Sequence, residues 1–81
     1  MSPQVTIYSK DYCPYCVRAK EFFAKKQINF HEIDVEKDPA AYEELKRKTN
    51  HMTVPQIFIG DKFIGGYTDL VAKFQRGEIV L

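Results

Sequence analysis

The first 34 residues read as a strand, a helix and a second strand, and this order limits the folds that remain open. Residues 4–9 (QVTIYS) alternate and are β-branched, which predicts a strand. A helical repeat follows over residues 14–26, with side chains at i, i+3 and i+7: Cys16, Ala19 and Phe23. Residues 29–34 (NFHEID) alternate again, less regularly, and predict another strand. Such a unit favours a parallel strand pair joined by a right-handed crossover.

The rest of the chain predicts a helix, a hairpin and a last helix. Pro39 suits a first helical turn, and residues 40–48 form a mostly exposed helix with a thin apolar stripe and carboxylates that face water; the stripe is Ala41 and Leu45. Residues 56–59 and 62–64 flank the turn 60–61 as a β-hairpin. After Gly65-Gly66, one helix face carries Tyr67, Leu70, Val71 and Phe74, and Gly77 ends the helix. We therefore expect an α/β domain, with three helices covering a mixed four-stranded sheet.

Composition fits one ordinary globular domain over residues 1–81. At 81 residues the chain is too short for a large multi-site enzyme. With 44% hydrophobic and 28% charged residues it is too apolar for intrinsic disorder. No apolar run approaches the roughly 18 residues that span a bilayer, and the start, Met1–Gln4, has no export signal, so we expect no membrane association. Two cysteines only three positions apart, Cys13 and Cys16, cannot join distant segments. We expect a reducing, cytoplasmic setting.

Charge is distributed unevenly along the chain. The net charge of +1 argues against a nucleic-acid binder. Residues 10–26 carry five basic and two acidic side chains, net +3, whereas residues 31–46 carry six acidic and two basic ones, net −4. The positive zone surrounds the cysteine pair and would attract a small anionic partner, although a solvated helix face explains it equally well.

Cys13-Pro14-Tyr15-Cys16 occupies the junction between the first strand and the first helix. Unpaired N–H groups and the positive end of the helix dipole lie there and stabilise a thiolate. Pro14 fits the first turn, so Cys13 lies at the N-cap and Cys16 one turn further in. We expect Cys13 to be exposed, with a pKa lowered into the roughly 3.5 to 7.5 range, and to act as the nucleophile. Lys10 adds positive charge nearby.

Three other readings of the pair are weaker. A structural disulfide across so short a loop would contribute only roughly 2 kcal/mol. A zinc site would need two more ligands, and the other soft donors, His31 and His51, lack the spacing of a zinc knuckle. Two inert buried cysteines are possible, but Tyr12 and Pro14 favour a turn. A Cys-x-x-Cys in a βαβ setting indicates redox chemistry.

Two further segments can bind ligands. In Thr53-Val54-Pro55-Gln56 the proline marks a turn or a cis bond, and the sequence alone favours the turn. A cis bond would leave the Val54 backbone free to pair with an extended peptide. Gly65-Gly66-Tyr67-Thr68-Asp69 opens the last helix and could hold a carboxylate, or Thr68 or Asp69 could simply cap that helix.

Taken together, Cys-Pro-Tyr-Cys, Thr-Val-Pro and Gly-Gly-Tyr-Thr-Asp-Leu resemble the dithiol glutaredoxins of short bacterial type, over essentially the whole chain. The resemblance implies a thioredoxin fold with sheet order 2-1-3-4 and a cis Pro55. It also implies glutathione-dependent reduction of glutathione mixed disulfides and protein disulfides, with no tightly bound cofactor and no metal. The implied partners are glutathione, disulfide-containing or glutathionylated proteins and, indirectly, an NADPH-dependent glutathione reductase, with the protein itself a monomer.

The resemblance also implies roles for individual residues. Cys13 is the attacking thiolate and Cys16 the resolving thiol. The implied glutathione site consists of Lys10, Tyr15, Thr53, Val54, Pro55, Gly66, Thr68 and Asp69. In it, Lys10 faces the glycine carboxylate, the Val54 backbone pairs with the cysteinyl unit, and Thr68 with Asp69 holds the γ-glutamyl end. Many relatives have a basic residue directly before Thr-Val-Pro, whereas this chain has Met52 there; His51, Arg47 or Lys48 could partly replace it.

Two alternative functions share the cysteine motif. A glutathione-independent redoxin served by thioredoxin reductase would lack the Gly-Gly-Tyr-Thr-Asp segment, and a thioredoxin usually has Trp before its first cysteine, whereas this chain has no Trp. An iron–sulfur carrier could use Cys13 with external glutathione, but such relatives usually have Gly or Ser at the Pro14 position.

Overall fold

The computed structural model describes residues 4–79, and residues 1–3 and 80–81 lie outside it. The prediction that Met1–Gln4 carries no export signal therefore falls mostly outside the described residues. The chain forms four strands and three α-helices: β1 Val5–Ser9, α1 Pro14–Lys25, β2 Phe30–Asp34, α2 Pro39–Thr49, β3 Gln56–Ile59, β4 Lys62–Gly65 and α3 Tyr67–Gln75. The predicted element order is confirmed, with boundaries within one or two residues. Among residues 4–79, no helix is both long and apolar enough to cross a membrane.

The four strands form one mixed sheet in the order β2-β1-β3-β4. β1 pairs in parallel with β2, from Val5 opposite Phe30 to Ser9 opposite Asp34. β3 is antiparallel to both β1 and β4, so the hairpin extends the sheet on the far side of β1. The order 2-1-3-4 is therefore confirmed, and it places the carboxyl end of β1 beside the start of β3.

The main core lies between the sheet and the helices α1 and α3. Alternation along β1 buries Val5 and Ile7 on this side, where they pack with side chains of both helices. The buried members of this cluster are Val5, Ile7, Ala19, Phe23, Ile57, Ile64, Leu70 and Ile79. The predicted buried stripe of α1 is confirmed, and α3 buries Leu70 fully, with Tyr67 and Phe74 packed against the cluster.

Helix α2 is largely exposed, as predicted, and its two glutamates face solvent. The expected apolar stripe is half wrong: Leu45 is buried, but Ala41 is exposed and Tyr42 is partly buried instead. The Tyr42 hydroxyl donates to the Met52 carbonyl, 3.2 Å away, which ties α2 to the loop before β3. A short 3-10 helix, Val35–Lys37, precedes α2 and was not predicted; the Asp34 carboxylate caps it by accepting from the Glu36 N–H at 2.9 Å.

Gly77 ends the last helix, as predicted. It has a φ of +74°, and its N–H donates to the Phe74 carbonyl over 3.1 Å, while the Glu78 N–H donates to the Lys73 carbonyl over 2.9 Å. These two bonds satisfy carbonyls that the end of a helix leaves unpaired. They direct the following chain back to the core, where Ile79 is buried.

Candidate active site

Cys13 is the N-cap residue of α1. Its backbone is extended (φ −106°, ψ 106°), and its sulfur accepts from the Cys16 N–H at 3.2 Å. Pro14 follows in the first turn, where a missing N–H costs nothing. The sulfur therefore lies at the positive end of the helix, as the spacing predicts.

The expectation that Cys13 is exposed is wrong. The residue keeps only 8% of its accessible surface, because the loop before β3 covers it. Its thiol lies 3.8 Å from the Val54 carbonyl oxygen, within reach for a weak S–H donation. The preceding Tyr12, at a φ of +60°, is fully exposed instead.

Cys16 lies deeper than Cys13. It is completely buried, on the side of α1 that faces the core. Burial raises the pKa of its thiol to about 12; the hydrogen bond to Cys13 and repulsion from Cys13 act in the same direction, while the Lys10 backbone and the Lys20 ammonium oppose the rise. Both cysteines are free thiols. The pair therefore combines one sulfur near the surface with one that strongly retains its proton.

A cavity of about 290 Å³ lies beside this pair. Three segments meet around it: the first turn of α1, the loop before β3, and the start of α3. Its lining residues are Tyr15, His51, Thr53, Val54, Pro55, Gly66, Tyr67, Thr68 and Asp69. The structure thus brings together seven of the residues named for the glutathione site, and Cys13 contacts the same loop through Val54.

Val54-Pro55 is a cis peptide bond. The turn reading that the motif alone favours is therefore wrong, and the cis bond that the resemblance implies is confirmed. Pro55 is buried, whereas Val54 is half-buried along the cavity.

Gln56 holds this loop in place and was missed as a supporting residue. Its side chain is fully buried at the first position of β3. The amide donates to the carbonyls of His51 (2.5 Å) and Thr53 (3.2 Å), and its oxygen accepts from the Thr49 hydroxyl at 2.8 Å. The sequence did contain a signal for this role, since Gln56 is the one polar residue in the apolar run QIFI. An amide buried in a strand needs hydrogen-bond partners, and the neighbouring loop can provide them.

The start of α3 forms the opposite wall. One Asp69 oxygen accepts from the Gly66 N–H at 3.1 Å, so the aspartate caps its own helix. Gly65, at a φ of +118°, makes room for that carboxylate, since a Cβ there would collide with the Asp69 side chain. The capping alternative is therefore real, yet Asp69 is exposed and lines the cavity, which leaves its other oxygen available to a ligand.

Two expected details of the site differ in the structure. Lys10 is exposed after β1 and is not among the residues lining the cavity. His51 does line it, with its Nε2 3.2 Å from the Thr53 hydroxyl, whereas Met52 is 59% exposed. Tyr67, which sequence analysis assigned to a helix face of the core, also lines the cavity, 6.3 Å from the Tyr15 ring between centroids.

Comparison with known proteins places these features in a family context. A family model described as Glutaredoxin matches residues 5–64. Glutaredoxin of Pseudomonas aeruginosa is 43% identical over 77 residues, covering 95% of this chain and 92% of that protein. Glutaredoxin 3 of Escherichia coli is 44% identical over 75 residues, covering 93% of this chain and 90% of that protein.

Solved structures agree with the sequence relatives. The buckwheat glutaredoxin–glutathione complex superposes with a TM-score of 0.87 at 32% identity, covering 94% of this chain and 72% of that one. The expected thioredoxin fold is therefore confirmed.

Proposed function

The chain belongs to the glutaredoxin family and is a thiol–disulfide oxidoreductase, and we propose that glutathione is its reductant. In this proposal it reduces glutathione mixed disulfides and protein disulfides through Cys13 and Cys16. The observation that carries the proposal is the cavity beside Cys13, which is open to solvent and is lined by the first turn of α1, the loop before β3 and the start of α3. The related buckwheat protein was crystallised with glutathione, which supports this choice of ligand.

Glutathione matches the chemistry along the cavity. Its cysteinyl unit would pair with the Val54 backbone, which places its sulfur beside Cys13. The α-carboxylate of its γ-glutamyl end would receive the first-turn N–H groups at Thr68 and Asp69, and the neighbouring ammonium would contact the free Asp69 oxygen.

The glycine carboxylate requires a cation at the other end of the ligand. We assign Lys10 this role through its flexible side chain, because it immediately follows β1 near the cysteine turn. His51 lies in the cavity wall and offers a second, closer nitrogen. Lys10 provides a positive charge where Met52 supplies none, and His51 adds a nitrogen that can form a hydrogen bond.

Reduction of a glutathione mixed disulfide needs one sulfur. The Cys13 thiolate attacks the glutathione sulfur, a Cys13–glutathione disulfide forms, and the target leaves as a thiolate that takes a proton from solvent. A second glutathione then attacks that bond and leaves as glutathione disulfide, which returns Cys13 to the thiolate. The helix N-terminus stabilises Cys13 as attacking and as leaving sulfur.

Reduction of a protein disulfide needs both sulfurs. Cys13 first forms a mixed disulfide with one target sulfur. Cys16 then attacks the Cys13 sulfur, and the target departs with both of its cysteines reduced. The Cys16 N–H lies 3.2 Å from the Cys13 sulfur, so the two residues are adjacent without rearrangement of the backbone. Two glutathione molecules would reduce the resulting Cys13–Cys16 disulfide.

The proposal includes the setting in which this cycle runs. A glutathione reductase with NADPH regenerates the glutathione, the protein acts as a cytoplasmic monomer, and neither nucleic acid nor a membrane takes part. The two cysteines lie too close in sequence to join distant segments, as the disulfides of exported domains do, which supports a reducing compartment.

A coupled assay tests the proposal. A small glutathionylated substrate is mixed with the protein, glutathione, glutathione reductase and NADPH, and NADPH oxidation is followed. We expect turnover that saturates with glutathione. Turnover only when thioredoxin and its reductase system replace the glutathione components would contradict the proposal.

A further inference from the structure

Behind the cysteine pair, on the side away from the cavity, three polar side chains from three elements meet. The Glu32 carboxylate of β2 accepts from the Ser9 hydroxyl of β1 at 2.6 Å and from the Lys20 ammonium of α1 at 2.9 Å, through the same oxygen. Ser9 is 1% exposed, so its hydroxyl is directed at this carboxylate inside the protein. We call Ser9, Glu32 and Lys20 the rear cluster.

The rear cluster lies next to the resolving thiol. Lys20 follows Cys16 by four residues on α1, so both side chains project from the same helix face one turn apart. Cys16 is fully buried, whereas the Lys20 side chain keeps 32% of its accessible surface. Lys20 therefore brings a positive charge from the surface toward a sulfur that water does not reach.

The charge state of the cluster is fixed at neutral pH. Hydrogen bonding to Glu32 raises the pKa of Lys20, and hydrogen bonds from Ser9 and Lys20 lower the pKa of Glu32. Both residues are therefore ionised, and Lys20 is an ammonium held in place by a carboxylate. Among the described side chains that shift the pKa of Cys16, only Lys20 favours its thiolate.

Stabilisation of the fold is a weak explanation for the ion pair between Lys20 and Glu32. Lys20 and Glu32 keep 32% and 40% of their side-chain surface, and exposed ion pairs contribute little to folding. The buried Ser9 hydroxyl nevertheless fixes the carboxylate, which in turn fixes the ammonium. Such a chain of contacts orients a charge, and Cys16, one helical turn away on α1, is a group that must become charged during the reaction.

We propose that Lys20, oriented by Glu32 and Ser9, assists the resolving step by stabilising the Cys16 thiolate as it forms. Glu32 and Ser9 are positioning residues that act through the ammonium. The inference rests on the proposed roles of the two cysteines, but not on glutathione as reductant.

The resolving step balances without another reactant. The Cys16 thiol gives up its proton, which in the net reaction ends on the departing target sulfur. The Cys16 sulfur attacks Cys13, and the Cys13–Cys16 bond forms. The bond from Cys13 to the target breaks, and the departing sulfur takes the electron pair and then a proton. Lys20 neither gains nor loses a proton. It offsets the negative charge on Cys16 before the new bond forms.

The test uses dithiodipyridine, an uncharged disulfide whose two thiopyridine halves absorb when released. The reduced protein releases the first half when Cys13 attacks, at a rate that depends on reagent concentration. It releases the second half when Cys16 attacks Cys13 and the Cys13–Cys16 disulfide forms. The rate of this second release does not depend on reagent concentration. Stopped-flow absorbance in the full-length protein therefore measures the resolving step directly and without glutathione.

We expect Lys20→Gln to slow the second phase about three- to ten-fold more than the first, and to displace its pH profile to higher pH. Lys20→Arg keeps the charge and should restore most of the rate. Lys25→Gln, which removes an exposed lysine of the same helix, is the matched control and should change neither phase. The groups that act on Cys16 and Lys20, namely Cys13, Glu32 and Asp11, are unchanged in all three variants.

Each result decides one question. An unchanged second phase in Lys20→Gln, or an equal loss in Lys20→Arg, would overturn the inference. An equal slowing of both phases would assign Lys20 a general effect on the pair, which also contradicts it. If the coupled glutathione assay fails while the second phase still depends on Lys20, the proposed reductant is wrong and the inference stands.

Discussion

The two sides of the cysteine pair are built differently. On the Cys13 side, residues of the loop before β3 and of the start of α3 line an open cavity. On the Cys16 side, the sulfur is fully enclosed, and the rear cluster holds the Lys20 ammonium one helical turn away from it. An open cavity beside a reactive sulfur suits recognition of a peptide such as glutathione, whereas an enclosed sulfur beside a fixed charge suits an internal step. The difference indicates that the two sulfurs have separate roles: Cys13 meets the substrate, and Cys16 acts only on Cys13.

Exchanging each sulfur for oxygen tests this separation most strongly. Cys13→Ser should abolish reduction of both substrate types, because hydroxyl at the helix N-terminus is a far weaker nucleophile than thiolate. Cys16→Ser should keep reduction of a glutathione mixed disulfide and lose most reduction of a protein disulfide. Turnover of both substrates by both variants measures the effect. If Cys16→Ser is as inactive as Cys13→Ser toward a small glutathionylated substrate, the two sides do not have separate roles.

Asp69 tests the cavity side alone. Asp69→Asn keeps an oxygen that can accept from the Gly66 N–H, so the α3 cap survives, but it removes the charge offered to the glutathione ammonium. Because Asp69 is exposed, we expect the apparent glutathione constant to rise by about ten-fold, at the lower end for a hydrogen bond to a charged group.

The control for this change is Asp61→Asn, an exposed aspartate in the hairpin turn. Both variants are titrated with glutathione and with an uncharged disulfide. A glutathione constant that Asp69→Asn leaves unchanged would mean that Asp69 serves only as a cap. An equal loss of activity in the glutathione titration and in the titration with the uncharged disulfide would lead to the same conclusion.

Substitution of Gln56 tests whether the cavity keeps its shape without the hydrogen bonds from this buried amide to the loop before β3. Gln56→Leu leaves the Thr49 hydroxyl and the His51 and Thr53 carbonyls without their buried partner, which should lower the free energy of unfolding by about 1 to 3 kcal/mol. Urea unfolding measures the loss, and glutathione affinity should fall with it because the loop before β3 is released.

Gln75→Leu changes an exposed glutamine at the end of α3 and should alter stability by less than about 0.5 kcal/mol. Stability of Gln56→Leu equal to that of this control would show that the loop holds its shape without the buried amide.

The smallest expected effect is on the pH dependence of stability, through the Glu32 carboxylate of the rear cluster. The folded pKa of Glu32 is below its ordinary value of 4.5, so the stabilisation from its bonds is complete above that value and is lost as pH falls through the folded pKa. The urea midpoint of Glu32→Gln should therefore fall less between neutral pH and pH about 3 than that of the parent. Glu44→Gln, an exposed glutamate of α2, should follow the parent. If the urea midpoints of all three proteins fall equally with pH, the Lys20–Glu32 ion pair does not stabilise the fold.

Periodicity in the sequence predicted nearly all of the fold. The alternation of β1 and the helical spacing of Cys16, Ala19 and Phe23 are local patterns, and both are confirmed. The turn at Val35–Lys37 was missed because an aspartate capping a single turn has no periodicity to detect. Ala41 was misplaced because α2 directs Tyr42 rather than Ala41 toward the rest of the protein, where the Tyr42 hydroxyl donates to the Met52 carbonyl.

The site was predictable where short motifs carry it. Thr-Val-Pro and the start of α3 do meet at the cavity. The burial of Cys13 was not predictable, because Val54, which covers it, lies 41 positions away. The bond from Ser9 to Glu32 likewise joins residues 23 positions apart, and only the parallel pairing of β1 with β2 brings them together.

Trapping a reaction intermediate tests the separation of the two sulfurs most directly. Each single-serine variant is exposed to one equivalent of glutathione disulfide, quenched with acid, and mapped by peptide mass spectrometry. The account predicts that Cys16→Ser rapidly acquires one glutathione on Cys13, and that Cys13→Ser acquires almost none on the enclosed Cys16. Rapid glutathionylation of Cys16 in Cys13→Ser would contradict the account.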